Sequence, residues 1–208
     1  LKLAILLNPN NATAHQYYSE LLNILRRNKE SRDQINLALK LNPHSYSMNA
    51  LSGFYYYNSN EYTKAIETFE KTIDIVNTNE SLIIFIKSWI IRCYINLGMN
   101  KEALMTLKEI SSIYDSKGND ELLDKIFEES GIEGAINWSM DGALINQRKY
   151  YKSALYGCIG DSQNALKYLE NAFENGDMNL PQMNNCSDLI FIRKEPRFIA
   201  ILEKMGLE

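Results

Sequence analysis

The chain is poor in the features that would tie it to a membrane, a disulfide framework or a nucleic acid. No stretch approaches the ~18 consecutive apolar residues of a membrane-spanning helix. The most apolar one, Leu82 to Ile91, is interrupted by Lys87 and Ser88. The only cysteines are Cys93, Cys158 and Cys186, far apart and odd in number. That argues against a disulfide framework and for free thiols in a reducing, cytoplasmic setting. Lysine and arginine total 22 against 26 acidic residues, a net charge of -4. The basic residues are scattered, with no cluster of the kind that displaces counterions from a phosphate backbone, so nucleic-acid binding by this segment is not expected. Only four prolines occur, Pro9, Pro43, Pro181 and Pro196. The long proline-free stretches suit a helical chain, because an interior proline costs a helix about 3 kcal/mol.

What is present is a repeated unit. Apolar residues make up 45% and charged residues 23% of 208 residues, a globular balance. Tyr46 to Ile75 reads as two helices. One carries Gly53 and Tyr56, a polar turn spans Asn58 to Asn60, and Tyr62, Ala65 and Phe69 recur on the next at helical spacing. Ser19 precedes Gly53 by the same interval as Ser31 precedes Ala65. The phrases Ala4 to Pro9 and Ala38 to Pro43 both end in Leu-Asn-Pro, and the interval between them is again the same. The residue before proline disfavours helical geometry, so each phrase should end a helix. The first full unit should place Tyr17, Tyr18, Leu21 and Leu25 on one side of its first helix, and Ile35 and Ala38 on its second.

A third unit is anchored by Tyr94, Gly98, Ala103, Leu107 and Ile110. Ala103 falls four positions later than one interval after Ala65, which predicts a longer connection or a longer first helix around Ser81. A loop over Asp115 to Asp120 should precede a helix from Glu121 to Glu129 with Leu122, Leu123, Ile126 and Phe127 inward, ended by Gly131. Ile132 to Asn146 follows as a second helix with Ile136, Met140, Leu144 and Trp138 facing in. Tyr156, Gly160, Ala165, Leu169 and Ala172 restate the anchors. After a loop from Glu174 to Pro181, two short helices, Asp188 to Arg193 and Arg197 to Met205, should cap Leu166, Leu169 and Phe173.

A repeat period of about 34 residues, carried by helix pairs, resembles the tetratricopeptide (TPR) repeat. The resemblance implies an all-α, TPR-like right-handed helical solenoid of antiparallel helix pairs with a short helical C-terminal cap. Residues 1–11 would end a truncated repeat. Residues 12–45, 46–79, 80–114 (degenerate) and 147–175 would be TPR units. Residues 115–146 would form a non-standard helix pair and 176–208 the cap. The chain opens within an apolar phrase, LKLAILL, so a piece of a longer protein is expected. Its ending, Ala154 to Asp161, Ala165 to Ala172, Phe191 to Phe198 and Met205 to Leu207, is similar to the tail of bacterial multi-repeat regulators. In that group the repeats follow a winged-helix or AraC-type domain, a TolB-like segment, an adenylate-cyclase domain or a kinase. Glu195 stands where that tail usually has Asp.

Candidate chemistry is sparse. His15 and His44 have no partner at metal-ligand spacing, so structural or exposed roles are expected, and no metal or cofactor. Cys93 and Cys158 lack a positioned histidine. Asp120, Glu121, Asp124, Glu128 and Glu129 read as a solvated helical face, the first of them favoured by the helix dipole. Tyr55-Tyr56-Tyr57 and Tyr150-Tyr151 can either pack inward or line a groove. The TPR resemblance implies a concave face made by the first helix of each pair. Mapped here, it consists of Gln16, Glu20 and Asn23, then Phe54, Tyr57 and Asn58, then Ser88, Arg92 and Asn96. Amides can bond a peptide backbone, and Arg92 suits a carboxylate. The expectation is a non-catalytic protein-interaction or regulatory module, homo-oligomerisation being possible, with Phe54, Tyr57 and Arg92 standing outside the packing and carrying most of the binding. The alternatives are a small-molecule sensor, which would need an enclosed pocket, and an enzyme, which would need converging titratable groups.

Overall fold

The computed structural model describes residues 1–113, 119–141 and 149–207. Its helices are α1 (Lys2–Leu7), α2 (Ala12–Ile24), α3 (Asn28–Leu41), α4 (Tyr46–Asn58), α5 (Tyr62–Val76), α6 (Glu80–Asn96), α7 (Asn100–Ile113), α8 (Asn119–Asp141), α9 (Lys149–Cys158), α10 (Ser162–Glu174) and α11 (Pro196–Met205). Two 3-10 segments, Leu180–Asn185 and Ser187–Ile192, lie between α10 and α11. No strand occurs among the described residues, and no helix among them is long and apolar enough to cross a membrane.

Local chemistry sets the helix ends. Side chains of Asn11, Ser45, Asn79 and Asp161 accept bonds from the backbone N–H three positions on, supplying acceptors that the first turn of a helix lacks. Asn8 and Asn42, each before a proline, leave helical geometry at φ -142° and -143°. Gly131, at φ 64°, breaks α8 where a side chain would be strained, so the two halves of α8 run as separate helices.

Helices pair in sequence: α2 with α3, α4 with α5, α6 with α7, α9 with α10. Small residues twelve apart mark the close approach within pairs. Ser19 and Ser31 are both buried and exchange bonds from hydroxyl to carbonyl at 2.9 Å. Ser153 Oγ donates to Ala165 O at 2.8 Å in the same relation. At Gly53 a Cβ would come within 2.4 Å of the Phe69 ring, so the residue is small because Phe69 fills the space. In the third pair Ile91 stands opposite Ala103, both fully buried. α6 has 17 residues against 13 in α4, and those four extra positions account for the displaced repeat.

Three inward assignments fail in α2. Ala14 and Leu22 are buried, but Tyr17, Leu21 and Leu25 are exposed, because no described element covers that side. In α8 Leu123 is buried and Leu122 exposed, while Ile136 and Met140 are buried and Trp138 packs against the core. Of the loop expected over Asp115 to Asp120, Asn119 and Asp120 instead begin α8, where Asp120 stands in the first turn; its earlier residues, like Leu144, lie outside the described residues. The stretch expected to be a loop up to Pro181 already begins the first 3-10 segment.

Candidate partner-binding site

The first helices of successive pairs, α2, α4, α6 and α9, border one common space, and the chain's own C-terminal segment lies in it. The segment crosses three helices in order. Asn184 Nδ2 donates to Ile24 O at 2.9 Å, and Asn185 Nδ2 donates to Asn23 Oδ1 and Asn28 Oδ1, both at 2.8 Å. Ser187 donates through backbone and hydroxyl to Asn58 Oδ1 at 3.3 Å. Asp188 then accepts from the Tyr57 hydroxyl and from the Arg92 guanidinium. Arg193 steadies the segment from behind, donating to the Asn184 carbonyl and side-chain oxygens at 2.6 Å. Gly157 admits it: a Cβ there would meet Asp188 O at 2.5 Å.

The Arg92–Asp188 pair is sealed, each side chain 2% exposed. The guanidinium stacks over Trp89 at 3.7 Å and Tyr57 at 4.9 Å, so cation–π attraction offsets part of its desolvation. Burial holds the Tyr57 hydroxyl well above the ordinary tyrosine range, so it stays a donor. Asn96 Nδ2 donates to that hydroxyl and to Arg92 O, both at 2.9 Å.

These contacts correct the sequence reading. Arg92 does hold a carboxylate, but that carboxylate belongs to Asp188 of the same chain. Tyr57 and Arg92 are not free groove anchors outside the packing; both are buried, because the C-terminal segment folds back over them. Ser88 is buried as well, its hydroxyl donating to Phe85 O at 2.7 Å. Asn23 and Asn58 are occupied by the segment. Packing takes Tyr55 and Tyr150 too, Tyr55 being hydrogen-bonded with Ser19 Oγ at 2.9 Å. His15 is structural: Nε2–H donates to Pro9 O at 2.8 Å and Nδ1 meets the Gln34 side chain at 2.7 Å.

Gln16, Glu20 and Phe54 face what remains of the space, a pocket of about 670 Å³. Tyr46 and Ser47 of α4, Phe85 of α6, Tyr151 of α9, and Met178, Asn179 and Gln182 of the C-terminal segment also line it, with Leu51, Leu82 and Ile84 among its apolar surface. Phe54 packs tilted against Trp89 at 4.4 Å and meets Phe85 edge-on at 6.0 Å; Phe85 in turn meets Tyr151 at 5.1 Å. Burial pushes the Glu20 carboxyl above the ordinary carboxylate range, and a 3.0 Å bond from Gln16 offsets part of that. Of the pair Tyr150-Tyr151, the first packs inward and the second lines the groove. Sequence reasoning missed Tyr46, Phe85, Asn179 and Gln182. A first-helix position was a usable signal for the first two; nothing local marked the last two.

The arrangement defines a class: an all-α helical-repeat solenoid, 82% of the described residues helical, whose inner face is partly filled by its own C-terminal segment. No protein-family model matches the chain, and no curated protein matches it. Five solved chains do match. One is the crystal structure of PilW, described as a widely conserved type IV pilus biogenesis factor. It superposes with a TM-score of 0.53 over 87% of this chain and 85% of that chain, at 16% identity. At that identity the likeness is one of fold.

Proposed function

We propose that this chain is a non-catalytic interaction scaffold that docks a partner polypeptide on the face bordered by α2, α4, α6 and α9. The observation that carries the reading is the seating of Asn184 to Asp188. Amides and an arginine from the first helices of three successive pairs already bind a stretch of polypeptide there, by the side-chain and backbone bonds a partner would use. The pocket beside it extends the same wall with exposed polar and aromatic edges. The similarity of the C-terminal phrases to bacterial multi-repeat regulators supports a cytoplasmic regulatory module within a larger protein, and the three free thiols suit that compartment.

A photo-crosslinking amino acid at Ser47, on the pocket wall, tests the docking face against one at Met105, an exposed residue of α7 away from that wall. The expected outcome in extract of the source cell is a discrete crosslinked partner from Ser47 and none from Met105. Crosslinks from Met105 alone would overturn the reading. A second reading, small-molecule sensing, draws on the pocket volume, which lies within the roughly 300–1,000 Å³ range of ligand sites.

A further inference from the structure

Resting on the docking face just described, we infer that its pocket is a receptor for an alkylammonium group, carried by a lysine side chain of a partner or by a free organic amine. Glu20 is the one charged side chain among the described residues that line the pocket. Among the described residues it makes no ion pair: its hydrogen bond there is the one from Gln16 Nε2 to Oε1, and Oε2 has no donor. The amide of Gln16 is itself fixed, since its oxygen accepts from Ser47 at 3.3 Å. The carboxylate is thus oriented and half-buried, with one oxygen that takes no donor from the described residues.

The rest of the wall selects the sign of the ligand. Phe54, Phe85 and Tyr151 form a continuous aromatic corner, and the faces of such rings carry negative potential that attracts cations. Among the described residues, no lysine or arginine lines the pocket to receive an anion. An apolar ligand would bury the Glu20 charge against hydrocarbon with nothing to compensate it. A primary ammonium on an aliphatic stem satisfies both surfaces at once: three donors for Glu20 and nearby amide oxygens, methylenes against the rings. The raised Glu20 pKa follows from the same arrangement, since a carboxyl lacking its cation is the group that burial shifts upward.

Titration calorimetry on the full chain tests this with four probes: 1,5-diaminopentane, and end-capped pentapeptides with a central lysine, norleucine or glutamate. The lysine peptide, the diamine or both should bind, and norleucine and glutamate should bind far more weakly. Glu20→Gln should weaken the cationic probes by roughly tenfold or more, the scale of one charge-assisted bond, and leave norleucine unchanged. Whichever cationic probe binds more tightly identifies the source of the ammonium. Should Glu20→Gln fail to fold, Glu20→Asp, which withdraws the carboxylate by one methylene, should show the same selective loss. Equal binding of lysine and norleucine peptides, no binding of either cationic probe at millimolar concentration, or an unchanged affinity in the Glu20 variants would overturn the assignment. If the cationic probes fail while Ser47 still crosslinks a partner, the docking face stands and only the ammonium assignment falls. Loss of both removes the docking face as well.

Discussion

Asp188→Ala removes the single carboxylate that two buried groups share. Asp188 accepts from the Tyr57 hydroxyl and from Arg92, whose side chain is 2% exposed and stacked on Trp89. Without Asp188 the guanidinium stays in the same enclosed place with its charge uncompensated. Breaking a buried pair from one side costs about 3–5 kcal/mol, because the orphaned ion keeps its desolvation penalty. For a chain of this length that corresponds to a melting shift of roughly 6–20 °C. Urea titrations followed by tryptophan fluorescence and by far-ultraviolet circular dichroism should both move, the fluorescence first. Trp89 lies against Arg92 and reports when the C-terminal segment lifts, whereas the helices of the pairs can persist. The double variant Arg92→Met with Asp188→Leu should recover most of the loss, since replacing a buried pair by apolar side chains of similar size is often neutral or stabilising. A loss under about 1 kcal/mol in Asp188→Ala would refute the reasoning, because an exposed pair is worth no more than that. The segment would then not be seated on Arg92.

Three further outcomes are expected. Ala65→Leu should cost about 1–3 kcal/mol, read as a lower urea midpoint at unchanged slope, because Ala65 is fully buried beside Phe69 and Tyr57 and has no room for three added carbons. Cys93 and Cys186, both buried, should not react with a disulfide reagent in the native state at pH 8. Burial pushes Cys93 up to about 12 and raises Cys186, so thiolate is scarce and access poor; rapid labelling of either without denaturant would contradict this. Glu20→Gln should be more stable than the parent at pH 7 and equal to it well below pH 4.5. The folded carboxyl is raised above its ordinary 4.5, so the native state binds the extra proton and the parent loses stability as pH rises through that window. A variant less stable at pH 7 would mean that the pocket carboxylate already has a partner.

Much of the architecture was legible in the chain. Periodic small residues such as Ser19, Gly53 and Ala65 mark where helices touch, and the Leu-Asn-Pro phrases mark where they stop; both are local requirements of backbone geometry and close packing. The four-position offset of Ala103 announced the longer α6. The candidate site was legible only as a list of first-helix positions. Gln16, Glu20 and Phe54 do line the pocket, but Tyr57 and Arg92 do not. Their fate depends on Asp188, which is 131 and 96 residues away along the chain. Repeat periodicity describes contacts between neighbouring units, and no periodic signal records a tail that returns across three of them. Sequence alone determined the helix pairs and their order, because each is set by contacts within about one repeat. The tertiary structure alone decided which of the inward-facing groups are covered by the chain's own segment and which are left for a partner, because burial of a charge is settled by whatever long-range group arrives to pair with it.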